Sequence, residues 1–360
     1  MRVVVCVGFL LVVCAVPRAV AAQDAQAQEN EHAATSGLSP SIHLQGFMDI
    51  DYVQSDDPNP KAVDGFSLGQ FVGHMSGSLG KKVSFFAETS VTAQQTGFTV
   101  ELERAILRYD YNDHFKISLG KYHTPINYWN IAFHHGLWLQ TTVARPEMIK
   151  VGGTFEPVHF IGLLAEGAIS SPTLGLNYNL GVGNGRSTLI GRAGDAGDVN
   201  RNRAWLARLY SRPAATPGLE FGGSVYHDLV PNGGSGVPEL IASAYVALTT
   251  EKPEIIAEFA DVRHHDPTTL IDYHSKAGYA QVAYRLPQAP RWKPYARVEK
   301  LDANVADPVY GGGLDTRIAL SGVRFELTDQ VAVKAEYRWS RRLGDPRGIN
   351  ALYLQTAFVF

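Results

Sequence analysis

The sequence predicts an all-β protein, a transmembrane antiparallel β-barrel of about sixteen strands. Three observations predict it. Segments of about ten residues recur in which alternate positions are apolar, the period of a strand with one oily and one wet face. The wet face carries charges in mid-strand, such as Glu88, Arg104, Glu258 and Arg297, while the oily face favours Ala, Gly and Val, with aromatics near strand ends. Finally, the chain closes on an alternating segment, INALYLQTAFVF at 349–360, that places Leu352, Leu354, Thr356, Phe358 and Phe360 on one face.

The elements follow in order. Residues 1–22 read as a cleaved secretory signal: Arg2, an apolar or small run from Val3 to Val16, then Val20-Ala21-Ala22 before Gln23. The run is too short for a bilayer-spanning helix. Both cysteines, Cys6 and Cys14, lie inside it, so the exported chain uses neither disulfide nor thiolate chemistry. Residues 23–40 are polar and poor in aromatics, a flexible periplasmic tail. From 41 to 360 the alternation marks strands at 41–53, 66–79, 83–92, 99–111, 115–124, 149–169, 174–183 and 203–212. The series continues at 219–227, 239–249, 254–263, 275–286, 292–301, 315–327, 331–341 and 349–360. Residues 149–169 read as one long strand interrupted at Pro157. In 83–91, Val83, Phe85, Ala87, Thr89 and Val91 alternate with Ser84, Glu88 and Ser90; in 331–339, Val331, Val333, Ala335, Tyr337 and Trp339 alternate with Lys334, Glu336 and Arg338. Short connections (80–82, 112–114, 251–253, 328–330) alternate with long ones rich in Gly, Pro or Asp (228–238, 264–274, 302–314). Short turns on one rim and long loops on the other is the layout of a barrel in an outer membrane.

Composition narrows the function classes. At 45% hydrophobic and 19% charged, the chain is too apolar for disorder. A formal charge of −3 with no basic run offers nucleic acid no field.

The longest stretch without strand alternation is 125–148, PINYWNIAFHHGLWLQTTVARPEM, the third long-side loop. Trp129, Phe133, Leu137 and Trp138 are costly to leave in water and would anchor it to the wall. His134, His135, Arg145 and Glu147 would then line the opening. GKYHTPINYWN, HHGLWLQT, RPEM and the later GLNYNLGVGNGR resemble bacterial outer-membrane porin-like proteins related to the phosphate-selective porin family, over about residues 41–360. The terminal Phe360 likewise resembles the closing residue of bacterial outer-membrane barrels. The resemblance implies a sixteen-stranded, usually trimeric channel in outer-membrane lipid, passing small hydrophilic solutes or ions, whose third loop folds into the lumen. It also implies a one-sided ladder of Arg and Lys. The wall charges here nearly balance: Arg104, Arg108, Arg208, Arg285, Arg297, Arg324, Lys334 and Arg338 against Asp49, Asp51, Glu88, Glu258, Glu299, Glu326 and Glu336.

Two other classes compete with a pore. His74-Met75-Ser76 places a His and a Ser on one strand face, the spacing of a lipid-hydrolase dyad. Phe71, Met75 and Leu79 occupy the opposite, lipid face, so that dyad would point away from its substrate. A non-conducting structural or adhesion barrel needs a lumen filled by bulky side chains, which the many Gly, Ser and Ala positions do not provide. The adjacent pairs His134-His135 and His264-His265 show no His-x-x-x-His or cysteine spacing, so they read as solvated loop residues. Neither a metal nor another cofactor is expected.

Overall fold

The computed structural model describes residues 41–59, 62–133, 135–150, 153–234, 236–311 and 314–360. The expected export signal and tail therefore lie outside the described residues, as does His134. Sixteen strands follow in chain order: β1 (Ser41–Ser55), β2 (Gly65–Ser78), β3 (Val83–Ala93), β4 (Phe98–Asn112), β5 (Phe115–His123), β6 (His159–Ala168), β7 (Leu176–Asn184) and β8 (Ala204–Ser211). The second half comprises β9 (Leu219–Val230), β10 (Val237–Thr249), β11 (Glu254–His265), β12 (Asp272–Ala283), β13 (Trp292–Asp302), β14 (Thr316–Glu326), β15 (Val331–Arg342) and β16 (Ile349–Val359). Each pairs antiparallel with its neighbours in sequence, and β16 pairs with β1 to close the barrel.

Closure removes the edge that an open sheet would leave unpaired, which lipid does not tolerate. The seam runs from Phe47 opposite Val359 to Ser55 opposite Ala351. Beyond it, Gly46 and Phe360 exchange backbone hydrogen bonds of 2.7 and 2.9 Å. A Cβ at position 46 would lie 2.5 Å from the Phe360 ring, so a larger residue there displaces that ring.

Strand β13 shows the inverted polarity most clearly, with exposed and buried residues alternating along its whole length. Lys293, Tyr295, Arg297 and Glu299 are buried, whereas Val298 is 60% exposed. A protein that hides arginine and shows valine is built for an oily surround. Exposed aromatics gather at both rims: Tyr109, Tyr111, Phe115 and Trp292 on the short-turn side, Phe66, Phe98, Trp205 and Tyr337 on the loop side. These are the interfacial girdles that the strand-end aromatics predict.

Several boundaries depart from expectation, among them those of β12, which spans Asp272–Ala283 against the expected 275–286. The sixth strand begins only at His159, and residues 149, 150 and 153–158 precede it in a connection that contains a short helix α1 (Trp129–Ala132) and a 3-10 turn (Glu147–Ile149). The apolar residues that suggested a strand there, Ile149, Phe155 and Val158, are buried, and Ile149 and Phe155 pack in a cluster with Ile126 and Trp129. Their spacing reports contact with folded loop rather than a pleat. The strands β9 and β11 also run further than expected, to Val230 and His265. Polar residues such as Asp228 and His264 resemble loop composition but occupy the inner wall, in register with Glu239.

Candidate functional site

The connection between β5 and β6, residues 124–158, is docked on strands half a circumference away. Its first turn is held by Glu258 on β11, whose Oε1 accepts the backbone N–H groups of Tyr128 and Trp129 at 2.8 and 2.6 Å. Further along, Thr141 Oγ1 donates to Glu254 at 2.8 Å. Arg297 on β13 donates to Thr142 Oγ1 at 3.0 Å. Arg324 on β14 donates to the carbonyls of Trp138 and Gln140 at 2.5 and 2.8 Å. Lys334 on β15 reaches the carbonyls of Leu137 and Thr142 at 2.5 and 3.0 Å. Glu336 accepts from Val143 N–H at 2.9 Å, and Glu299 from Glu147 N–H at 2.6 Å. Irregular backbone leaves its polar groups unpaired unless something else supplies partners. Here charged wall residues supply them, cations to carbonyls and carboxylates to amides.

The aromatic anchors behave as their chemistry predicts. Trp129 is buried, 5.0 Å from the Phe133 ring and 6.0 Å from Tyr279, with the Arg297 guanidinium 5.5 Å from its centroid. Trp138 is half-buried beneath the Arg324 guanidinium at 5.5 Å. Such cation–π contacts add to the hydrogen bonds the same arginines make.

The described polar loop residues expected to line the opening are buried or half-buried among charged partners. His135 is 3% exposed, its Nδ1 2.8 Å from Gln70 Oε1 and its Nε2 3.3 Å from Glu103. Arg145 shows part of itself to solvent, yet its Nη1 is buried. Burial pushes that guanidinium down to about 10, against the opposing pull of Glu103 and Glu88, so it stays charged at neutral pH. Glu147 receives Arg338 at 3.1 Å and Lys150 at 3.4 Å. Burial alone would raise its carboxyl, but these two cations outweigh it and hold the group below its ordinary value.

Of the residues expected to line a pore, those on strands are buried or half-buried and most are paired, whereas Arg285 lies past the end of β12, in the turn before β13. Arg208 meets Glu220 at 2.8 Å, Arg297 meets Glu299 at 2.8 Å, and Arg324 meets Glu326 at 2.8 Å. Arg285 bridges Glu251 and Glu326, at 2.5 and 3.2 Å. Arg108 joins Asp110 and Glu166, at 2.6 and 3.0 Å, and Arg104 is paired with Glu88. Asp49 accepts from Gln70 N–H at 3.1 Å. The candidate dyad is not assembled, because His74 Nε2 turns to Glu88 Oε2 at 3.3 Å, with its ring between Phe47 and Phe86.

Two polar clusters escape sequence reasoning. Arg186 is buried, with Nε 2.9 Å from Glu239 and its two terminal nitrogens donating to the carbonyls of Thr154 and Phe155 at 2.8 Å each. Glu239 in turn meets His264 at 2.9 Å, and His264 meets Asp307 at 2.8 Å. His264 is 0% exposed, so it is an inner-wall residue and not the solvated loop residue expected. The second cluster gathers His123, His135 and His159, with Glu103 beside the last two and Glu88 3.8 Å from His123 and His135. Its members lie on three separate elements, and no spacing in the sequence announces them.

Fold and docked loop together define a porin-like β-barrel. No protein-family model matches the chain, and no curated protein does. Among solved structures, it is similar to the anion-selective porin of Comamonas acidovorans, with a TM-score of 0.65 and 10% identity over 89% of this chain and 100% of the other. It is similar to the outer-membrane channel DcaP of Acinetobacter baumannii at a TM-score of 0.62 and 11% identity, covering 90% and 99%. A trimer form of OmpT, an outer-membrane protein of Vibrio cholerae, superposes at 0.58 with 13% identity, covering 89% and 100%. At such identities the likeness is one of fold. The closed barrel with its apolar outer face is consistent with the bacterial outer membrane.

Proposed function

We propose that this chain is an outer-membrane porin, a passive water-filled channel for small hydrophilic solutes or ions, narrowed by residues 124–158. The observation that carries the reading is the docking of that loop, by charged inner-wall side chains, on strands opposite those it joins. A segment that meets the inner face of the far wall crosses the lumen, and what crosses the lumen sets its narrowest point. Residues 1–22 serve as its export signal and 23–40 as a periplasmic tail. A homotrimer fits the trimeric assembly of the OmpT relative in fold. No step here needs a catalytic residue, and His74 engaged with Glu88 supports no hydrolase.

Charge supports weak ion preference rather than phosphate selectivity, because the arginines of the wall are matched by carboxylates at hydrogen-bond distance. Purified protein in a planar bilayer should give ohmic steps with a small reversal potential in a salt gradient. Fractionation should place it in the outer membrane, with a mobility shift on heating. Absence of conductance, together with lipid hydrolysis lost in Ser76→Ala, would overturn the proposal in favour of an enzyme.

A further inference from the structure

The histidine cluster at the root of the loop has the chemistry of a cation site. His123 ends β5 and His159 begins β6, paired across the ladder, and His135 comes from the loop between them. One ring nitrogen from each lies within 4.8 Å of the other two. Glu103 adds a carboxylate beside two of them, with Oε1 3.3 Å from His135 Nε2 and Oε2 3.0 Å from His159 Nε2. It is placed there by a β-bulge: Glu88 pairs with Arg104 but Thr89 pairs with Leu102, so Glu103 is the extra residue. Bulges re-aim side chains at functional sites.

The surroundings orient these donors. Gln70 donates its amide N–H to Thr92 Oγ1 at 2.8 Å, which turns its carbonyl oxygen to His135 Nδ1 at 2.8 Å. The Gln70 oxygen beside Nδ1 orients the ring and turns Nε2 towards Glu103, the arrangement by which outer partners orient metal-binding imidazoles. Ser90 Oγ donates to Glu103 Oε1 at 2.6 Å and steadies the carboxylate.

We propose that His123, His135, His159 and Glu103 bind a first-row divalent cation, Zn2+ by the nature of the donors, and that the metal staples the constriction loop to its own root. Three imidazoles and a carboxylate are a set that Zn2+ accepts in tetrahedral geometry at about 2.0–2.1 Å, which asks for donors about 3.3 Å apart. From separations of up to 4.8 Å the nitrogens need to close by up to about 1.5 Å, which side-chain rotation supplies. Arg104 and Arg145 already offset Glu88 and Glu103, so an added dication leaves the cluster net positive. Affinity is therefore modest, and Arg145→Gln tightens it.

The test uses the full barrel in detergent after chelation, titrated with Co2+ and Zn2+. One Co2+ per chain should bind with the strong visible absorption of a tetrahedral site and be displaced by Zn2+. Binding should weaken at least tenfold in His135→Ala and in His159→Gln, each verified as folded by its heat-shifted gel mobility. It should survive in His265→Ala/His274→Ala, which removes the half-exposed histidines of β11 and β12. A native barrel with no tetrahedral spectrum overturns the proposal even if both variants fail to fold. So does binding that persists without His135 or vanishes without His265 and His274. A barrel that conducts but binds no Co2+ refutes the metal site alone and leaves the channel reading standing.

Discussion

Glu258→Ala isolates the force that holds the loop across the barrel. One carboxylate oxygen accepts two backbone N–H groups, from Tyr128 and Trp129, at 2.8 and 2.6 Å. Trp129 is almost wholly enclosed, so water cannot simply replace the acceptor. Each buried donor left without its partner costs about 1–3 kcal/mol. Two donors make the loss about 2–6 kcal/mol, which lowers the ratio of docked to undocked loop by roughly thirtyfold to twenty-thousandfold. Glu258→Gln keeps one neutral acceptor and should fall between native and Ala. The assay is single-channel recording alongside limited proteolysis of 124–158. Native barrels should give quiet steps and an uncut loop; the Ala variant should flicker between conductances and be cleaved in the loop while the strands stay protected. Quiet native-sized steps and an intact loop in Glu258→Ala would refute the idea that wall charges hold the loop in place.

Deleting residues 128–139 should raise single-channel conductance in barrels that still insert; unchanged conductance would place the loop outside the conducting path. Gly46→Val should lower the temperature of the heat-dependent gel shift, because its Cβ meets the Phe360 ring at 2.5 Å and overpacking costs about 1–3 kcal/mol; an unaltered transition would show that the seam tolerates the clash. Glu156, hydrogen-bonded by Asn127 at 2.9 Å, is pushed well above the ordinary carboxylate range by burial and by nearby Glu258. A carboxyl raised on folding contributes stability that is complete below the unfolded value of about 4.3 and is lost as pH rises from there through its folded value. Loop protection against protease should therefore weaken towards alkaline pH in the native protein and vary less with pH in Glu156→Gln.

The barrel was legible because lipid and strand geometry together impose a period of two. Val298 outward and Arg297 inward can be read from adjacent letters, and the closing strand with Phe360 follows the same rule. The loop was legible in part. Trp129 and Trp138 announce burial by size and apolarity, and both are anchored against arginines of the far wall. The loop's end was misread because Ile149, Phe155 and Val158 satisfy an apolar spacing through irregular packing. No local pattern could assemble the histidine cluster, since His123, His135 and His159 meet only after the ladder has paired β5 with β6 and the loop has returned to its root. His264 was misread for a related reason: in an inside-out protein, polarity marks the inner wall as readily as a loop.

The inner charges change meaning once their partners are known. A ladder of bare arginines would attract anions through a poorly screened lumen. Here Arg297, Arg324 and Lys334 spend hydrogen bonds on loop hydroxyls and carbonyls, and Glu258, Glu299 and Glu336 on loop amides. Taking such charges out of water is costly unless their attraction and hydrogen bonds are well satisfied, and the loop backbone supplies that satisfaction. Less enclosed charges such as Arg104 and Arg108 are themselves matched, by Glu88 and by Asp110 with Glu166. Paired charges present short-range dipoles to a passing ion, and salt screens what remains within about 8 Å at physiological strength. Passage through the proposed pore is then governed first by the width the docked loop leaves and only second by the sign of the solute. A wall built to hold a loop gives up most of the field it would otherwise project.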